Sequence, residues 1–182
     1  EMFLSPILEA LRDSCAIEMT YQSFNKEQPT TFIVEPYCLK MFKQRWYLLA
    51  NDYKRSKPSI YALDRIMELK ETNETFFFPS DFDTEHFFKD CYGVLHTNDE
   101  PQRIVIRAYA PLTNYLRTLP LHHSQKELDS TPEYSDFEFY LRPTFDFRQE
   151  LLSQGEEVEV LEPAEFRNEM KAVAMKMINR YR

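Results

Sequence analysis

Read as alternating apolar and polar positions, the chain falls into two stretches of different rhythm. Residues Glu1 to Ser14 place Phe3, Leu4, Ile7, Leu8 and Leu11 at helical spacing, with Ser5 as an N-cap ahead of Pro6 in the first turn. Period-two alternation then takes over. Cys15, Ile17, Met19, Tyr21 and Ser23 share one face of a first strand, and Asn25 to Pro29 is a turn. Thr31 to Val34 is a second strand that Pro36 ends or bends, since proline donates nothing to a ladder. Tyr37 to Phe42 turns through Lys43-Gln44 into Arg45 to Ala50, a polar basic loop with Pro58 follows, and Ile60 to Leu69 is the last strand. Five strands between Cys15 and Leu69 predict a small closed barrel.

The aromatic run Phe76-Phe77-Phe78-Pro79 ends this unit. Asp81 to Cys91 reads as a short helix capped by Thr84, with Phe87 and Phe88 inward, and Gly93 to Pro101 as a linker. From there the order is strand (Arg103 to Tyr109), helix (Pro111 to Leu119), strand (Leu121 to Leu128) and strand (Phe137 to Leu141). Next come a helix (Phe145 to Ser153, stopped at Gly155), a strand (Val158 to Leu161) and a final helix from Pro163 to Arg182. The β-α-β-β-α-β order predicts a split βαβ, ferredoxin-like sandwich, so the fold class is α+β in two domains. The boundaries expected are 1–80 for helix and barrel, 81–102 for a helical linker and 103–182 for the sandwich. The last helix carries Phe166, Met170, Val173, Met177 and Tyr181 on one stripe, which predicts contacts in a homodimer.

Composition narrows the function classes. A chain of 182 residues with 43% hydrophobic content builds a real core. Apolar runs are too short to span a bilayer, and no signal-peptide pattern occurs. Three widely spaced cysteines, Cys15, Cys38 and Cys91, make neither a disulfide framework nor a zinc pair, which points to a reducing cytoplasm. Beginning at Glu1 without an initiator Met, the chain reads as a fragment. Its net charge of −8 disfavours nucleic-acid binding over the whole surface. The charge is uneven: Lys40 to Lys70 holds eight Lys/Arg against three acids, a surplus of five, leaving −13 on the rest.

Four motifs in order resemble one family. They are Tyr21-Gln22-Ser23, Glu35-Pro36-Tyr37, the triplet Trp46-Tyr47-Leu48 with the chain's one Trp, and Leu63-Asp64-Arg65-Ile66. Together they resemble the WYL domain, an Sm-like, SH3-type barrel found mostly in bacterial transcriptional regulators. The second unit resembles the WCX extension that follows such domains, through Leu119 to Gln125 and Leu151 to Pro163. The resemblance implies a ligand-sensing and dimerising module that governs an N-terminal helix-turn-helix, and that DNA-reading part is absent from this chain. It also implies an oligonucleotide or nucleotide-like anionic effector. Relatives often carry basic residues where this chain has Phe32 and Ser59; Lys54, Arg55 and Lys57 are candidates to compensate.

Enzymatic chemistry finds no foothold. Two glycines make no phosphate-cradling loop, Gly-x-Ser-x-Gly and His-Glu-x-x-His are missing, and the carboxylates sit in solvated runs. His122 and His123, adjacent on a strand, would point to opposite faces and hold no metal by themselves. No cofactor is expected. In Arg45 to Ala50, alternation does not decide whether Trp46, Leu48 and Ala50 or Arg45, Tyr47 and Leu49 face the core. Arg65 is open to two readings: a surface pair with Asp64 or a glutamate, or, as the resemblance implies, a planar bidentate contact to an anion. Ser23 either donates to the same ligand or closes the turn before Asn25. The expected ligand-binding set is Arg65, Ser23, Tyr21 and Tyr47, with Arg45 at the rim.

Overall fold

The computed structural model describes residues 2–53 and 57–181; Lys54 and Arg55 lie outside the described residues. The chain divides into two compact units, Glu1–His86 and Phe87–Arg182.

In the first unit, α1 (Leu4–Asp13) precedes β1 (Cys15–Tyr21), β2 (Thr30–Phe42), β3 (Arg45–Asp52), β4 (Lys57–Ala62) and β5 (Ile66–Thr75). The N-cap of α1 falls two residues before the expected Ser5: it is Phe3, which makes no side-chain capping bond, so Ser5 and Pro6 lie inside the first turn. Its apolar stripe buries Ile7 and Ala10 in a core with Ile17, Met19, Val34, Leu48, Ala50 and Ile66. The helix stops at Ser14, which takes the left-handed conformation at φ 51°.

The five strands form an open sheet in the order β4-β3-β2-β1-β5, rather than the closed barrel expected from the alternation. The physical reason lies in 60–69. That stretch breaks at a 3₁₀ turn, Leu63–Arg65, which sends β4 to pair with β3 and β5 to pair with β1. The end of β1 is tied to that turn: Ala62 N–H donates to the Tyr21 hydroxyl (3.2 Å) and Gln22 N–H to the Arg65 carbonyl (3.0 Å). Strand β2 is one continuous element. Residues 30–34 pair with β1 and 34–42 with β3, and Pro36 sits at the hand-over, beside a register shift between Pro36 and Cys38. The strand bends there rather than ending, because a residue changing partners can spare its N–H. On β3 the core face is Trp46, Leu48 and Ala50, with Trp46 only half-buried.

Past β5, Tyr37 gathers Phe78 (4.8 Å between ring centres) and Phe82 (5.0 Å). The short helix α2 (Thr84–Phe88) is capped by Asp83, whose Oδ1 accepts from the N–H groups of Glu85 (2.8 Å) and His86 (3.2 Å). The cap thus falls one residue before Thr84, because the carboxylate reaches both orphan donors of the first turn.

The second unit runs β6 (Gln102–Tyr109), α3 (Leu112–Thr118), β7 (Lys126–Ser130), β8 (Tyr134–Leu141), α4 (Phe145–Ser153), β9 (Val158–Glu162) and α5 (Ala164–Arg180). Its sheet, order β7-β8-β6-β9, is antiparallel throughout. Ile104, Ile106 and Ala108 of β6 and Phe137, Phe139 and Leu141 of β8 alternate onto one face. There they meet Leu112 and Leu116 of α3, Phe147 and Leu151 of α4 and Phe166 of α5. On the alternate positions Arg107 forks onto Asp136 (2.7 and 2.9 Å), Arg103 bonds Glu138 and Glu162, and Tyr109 donates to Glu159 (2.8 Å).

Residues 121–125 are turns rather than the expected strand, and β7 begins only at Lys126. Gln125 fixes the turn: its Oε1 accepts from Leu121 N–H (3.0 Å) and its Nε2 donates to the Leu116 carbonyl (2.7 Å). The two histidines therefore do not diverge as strand neighbours would. Both Nε2 atoms converge on the Lys89 carbonyl, at 2.9 Å from His122 and 2.7 Å from His123. Among the described residues no group of three metal-ligating side chains assembles, and no helix is long and apolar enough to cross a membrane.

Candidate functional site

The 3₁₀ turn Leu63–Arg65 is where the expected ligand-binding residues converge. The ladders place them: Tyr21 ends β1 opposite Ile66, Tyr47 stands opposite Ala62, and Arg45 opens β3. Tyr21 neighbours the turn from β1, and Tyr47 and Arg45 neighbour it from β3.

Arg65 is half-buried on the turn, not on a strand as its sequence context suggested. Its Nε is shielded from solvent and has no acceptor. Among the described residues it makes no ion pair. The carboxylate beside it in sequence, Asp64, instead takes Arg45, with Nε to Oδ2 at 3.1 Å. Adjacent positions in a tight turn point apart, so Asp64 reaches across to β3 while Arg65 folds the other way. It lies against Phe24, its guanidinium carbon 4.0 Å from the ring centre.

Tyr21 is buried, and its hydroxyl accepts from Ala62 N–H (3.2 Å) while its ring meets Tyr61 edge-on at 5.2 Å. Burial pushes the phenol above its ordinary range; the Ala62 bond and the charge of Arg65 oppose that shift. The hydroxyl is thus already engaged as an acceptor. Ser23 closes a turn. Its Oγ accepts from Asn25 N–H at 3.4 Å, and its carbonyl accepts from Gln22 Nε2 (2.9 Å) and Lys26 N–H (3.2 Å). Tyr47 is half-buried and close enough to Tyr21 to influence its ionisation. Arg45 is exposed and tied to Asp64. The basic surplus around the turn is partly spent in the same way, since Lys70 pairs with Glu68 (3.3 Å) and Glu18 (3.7 Å).

One residue that sequence patterning did not single out bears on the site, and one that it did is found packed beside it. Phe24 follows Ser23 in a polar turn, where one aromatic carries no periodic signal. Phe32, the position where the resemblance leads one to expect a basic residue, packs its ring on Tyr61 at 5.5 Å.

The family model of the WYL domain matches residues 2–71, and that of the WCX domain matches residues 100–178. No curated protein matches the chain. Among solved structures, a CRISPR Cas-related protein is similar at a TM-score of 0.57 and 13% identity, over 97% of this chain and 50% of that one. The proteasome accessory factor B/C of Arthrobacter aurescens is similar at 0.45 and 20% identity, over 91% of this chain and 25% of that one. The chain spans a quarter to a half of these structures' lengths, and the first likeness is one of fold. With both domains matched in sequence order, the chain belongs to the WYL-domain family, a WYL domain followed by a WCX domain.

Proposed function

We propose that this chain is the ligand-sensing and dimerising module of a WYL-type bacterial transcriptional regulator acting in the cytoplasm. In this reading residues 1–80 are an Sm-like unit, 81–102 a helical linker and 103–182 a ferredoxin-like sandwich. The effector is an oligonucleotide or nucleotide-like anion, and the DNA-reading domain lies elsewhere in the regulator. A ligand that binds one arrangement of the module better than another shifts the dimer, and the DNA-reading domains follow by linkage.

The observation that carries the reading is Arg65. A guanidinium held on a tight turn, with no carboxylate partner among the described residues and its buried Nε without an acceptor, is an uncompensated cation. Its terminal nitrogens offer planar donors that match a phosphate. Tyr47, with Arg45 at the rim, borders the same turn. Tyr21 and Ser23 serve chiefly by holding the turn and the chain beside it. The test is binding of single-stranded oligothymidylate at low salt. Arg65→Ala is expected to weaken it by tenfold or more, in line with about 1.5–3 kcal/mol for a charge-assisted bond. Affinity should also fall as salt rises, because counterions compete for the site. Equal affinity in the variant and the parent would leave the second reading, a pure oligomerisation module without a small ligand. That reading is favoured by the exposed apolar end of α5, where Met177 and Ile178 stand about half exposed.

A further inference from the structure

We infer that Phe24 is a base-stacking platform, so that the effector bound at Arg65 carries a nucleobase rather than phosphate alone; this rests on the anion-binding reading of Arg65. Phe24 is 77% exposed on a polar turn, with its ring open to solvent. What holds it there is Arg65: the guanidinium lies on one face of the ring, 4.0 Å from its centre. The cation withdraws electron density from that face, and the opposite face is left to water. A planar base laid on the open face completes a guanidinium–phenyl–base stack, displaces ordered water from both surfaces and leaves the guanidinium's terminal nitrogens for the phosphate.

The turn is built to hold the ring in place. Gln22, immediately before Ser23, donates from Nε2 to the carbonyls of Ser23 (2.9 Å) and Lys26 (2.8 Å), and its N–H donates to the Arg65 carbonyl (3.0 Å). The loop carrying Phe24 is therefore fastened to the turn carrying Arg65, and a base and a phosphate of one nucleotide meet two parts of a single tied unit. The buried Nε fits the same arrangement. With that edge closed, an anion must approach the terminal nitrogens, on the side away from the turn.

Because base stacking is sequence-tolerant, the class expected is any single-stranded oligonucleotide or nucleotide, with purines held somewhat better than pyrimidines. The test compares two probes at low salt on the same protein: a short oligothymidylate, and inorganic polyphosphate of matching charge. Phe24→Ala is expected to weaken oligothymidylate by roughly tenfold, within the range alanine substitution gives for one stacked base, and to leave polyphosphate unchanged. Phe24→Trp should restore or exceed the parent's oligothymidylate affinity. Equal weakening of both probes by Phe24→Ala would reduce Phe24 to a support for Arg65 and overturn the inference, as would no change in either. Those outcomes leave Arg65 as the anion site. A parent protein that binds neither probe overturns the functional reading itself, and the inference with it. Phe24 is exposed and outside both cores, so the alanine variant is expected to keep the parent's melting temperature.

Discussion

At the scale of single residues, the chain tolerates backbone strain where a turn demands it. Lys43 and Gln44 join β2 to β3 with φ of 46° and 63°, both left-handed, as the tightest hairpin turn requires. Neither is a residue that favours this region. The right-handed twist of the flanking ladder, closed by Phe42 opposite Arg45, holds them there. Replacing Gln44 with Gly removes the Cβ clash, and the gain outweighs the added freedom of the unfolded chain. Gln44→Gly is expected to stabilise the protein by about 0.5–1 kcal/mol in urea unfolding with the slope unchanged. Destabilisation instead would mean that the Gln44 side chain contributes more than its backbone costs. The same pair shows what a sequence reveals at this scale: a turn between two alternating runs was legible, but its handedness was not, because no Asn-Gly or Gly signalled it.

At the scale of elements, alternation located β1, β3, β6 and β8 well, because each has one face in a core and the other turned away from it. It failed where a turn is short and flanked by apolar residues. Asp64-Arg65 is a polar pair between the apolar runs Ile60 to Leu63 and Ile66-Met67, with no Gly or Pro to mark a break, and it folds in a 3₁₀ turn, so one strand was expected where two exist. It failed again at Leu121 to Leu128. There the histidines and Gln125 make a bonded turn, and β7 is exposed along its whole length with no buried face to leave a pattern. Strand β7 is instead anchored by polar contacts. Arg117 on α3 donates to Glu127 (2.6 Å), Ser130 (2.9 Å) and Ser135 (3.0 Å). The Arg117 bond holds the Glu127 carboxyl below its ordinary range, with Ser135 and Ser130 assisting. A depressed carboxyl lends stability that is present above its unfolded value, near pH 4.3, and is lost as pH falls through the lower folded value. The melting temperature is therefore expected to drop between about pH 5 and pH 3, and Glu127→Gln should flatten that drop. A variant with the same acid slope as the parent would show that β7 depends on something other than this anchor.

At the scale of the molecule, the candidate site was legible only in part. The resemblance led to Arg65, and the ladders explain why Tyr21, Tyr47 and Arg45 border the same turn; the partner that Arg65 chose, Phe24, lies in a polar loop that no periodicity marks. The last helix poses the opposite case, a pattern plain in sequence whose purpose needs the fold. On α5, Phe166 is buried and Met170 half-buried against the sandwich, but the stripe runs on past the sheet. Met177 (48% exposed), Ile178 (53%) and Tyr181 (90%) lie in its last turns, about half or more exposed. An apolar surface of this kind beside a groove lined by Leu151, Val158, Met170 and Ala174, with Glu159, Arg167 and Lys171 among its other lining residues, suits a partner helix with both apolar and charged positions. The helix is also self-complementary in charge, with Glu165 in its first turn and Lys176 and Arg180 near its end. Two copies packed antiparallel would set Glu165 of each near Arg180 of the other, a pairing a two-fold interface makes twice. Light scattering at about 100 μM is expected to give a dimer, where an interface of standard size is well populated. Ile178→Glu with Met177→Glu should return it to monomer without lowering the melting temperature of the isolated fold, since neither side chain belongs to a core. A parent chain that scatters as a monomer at that concentration would remove the dimer, and leave α5 with an exposed face that some other partner must cover.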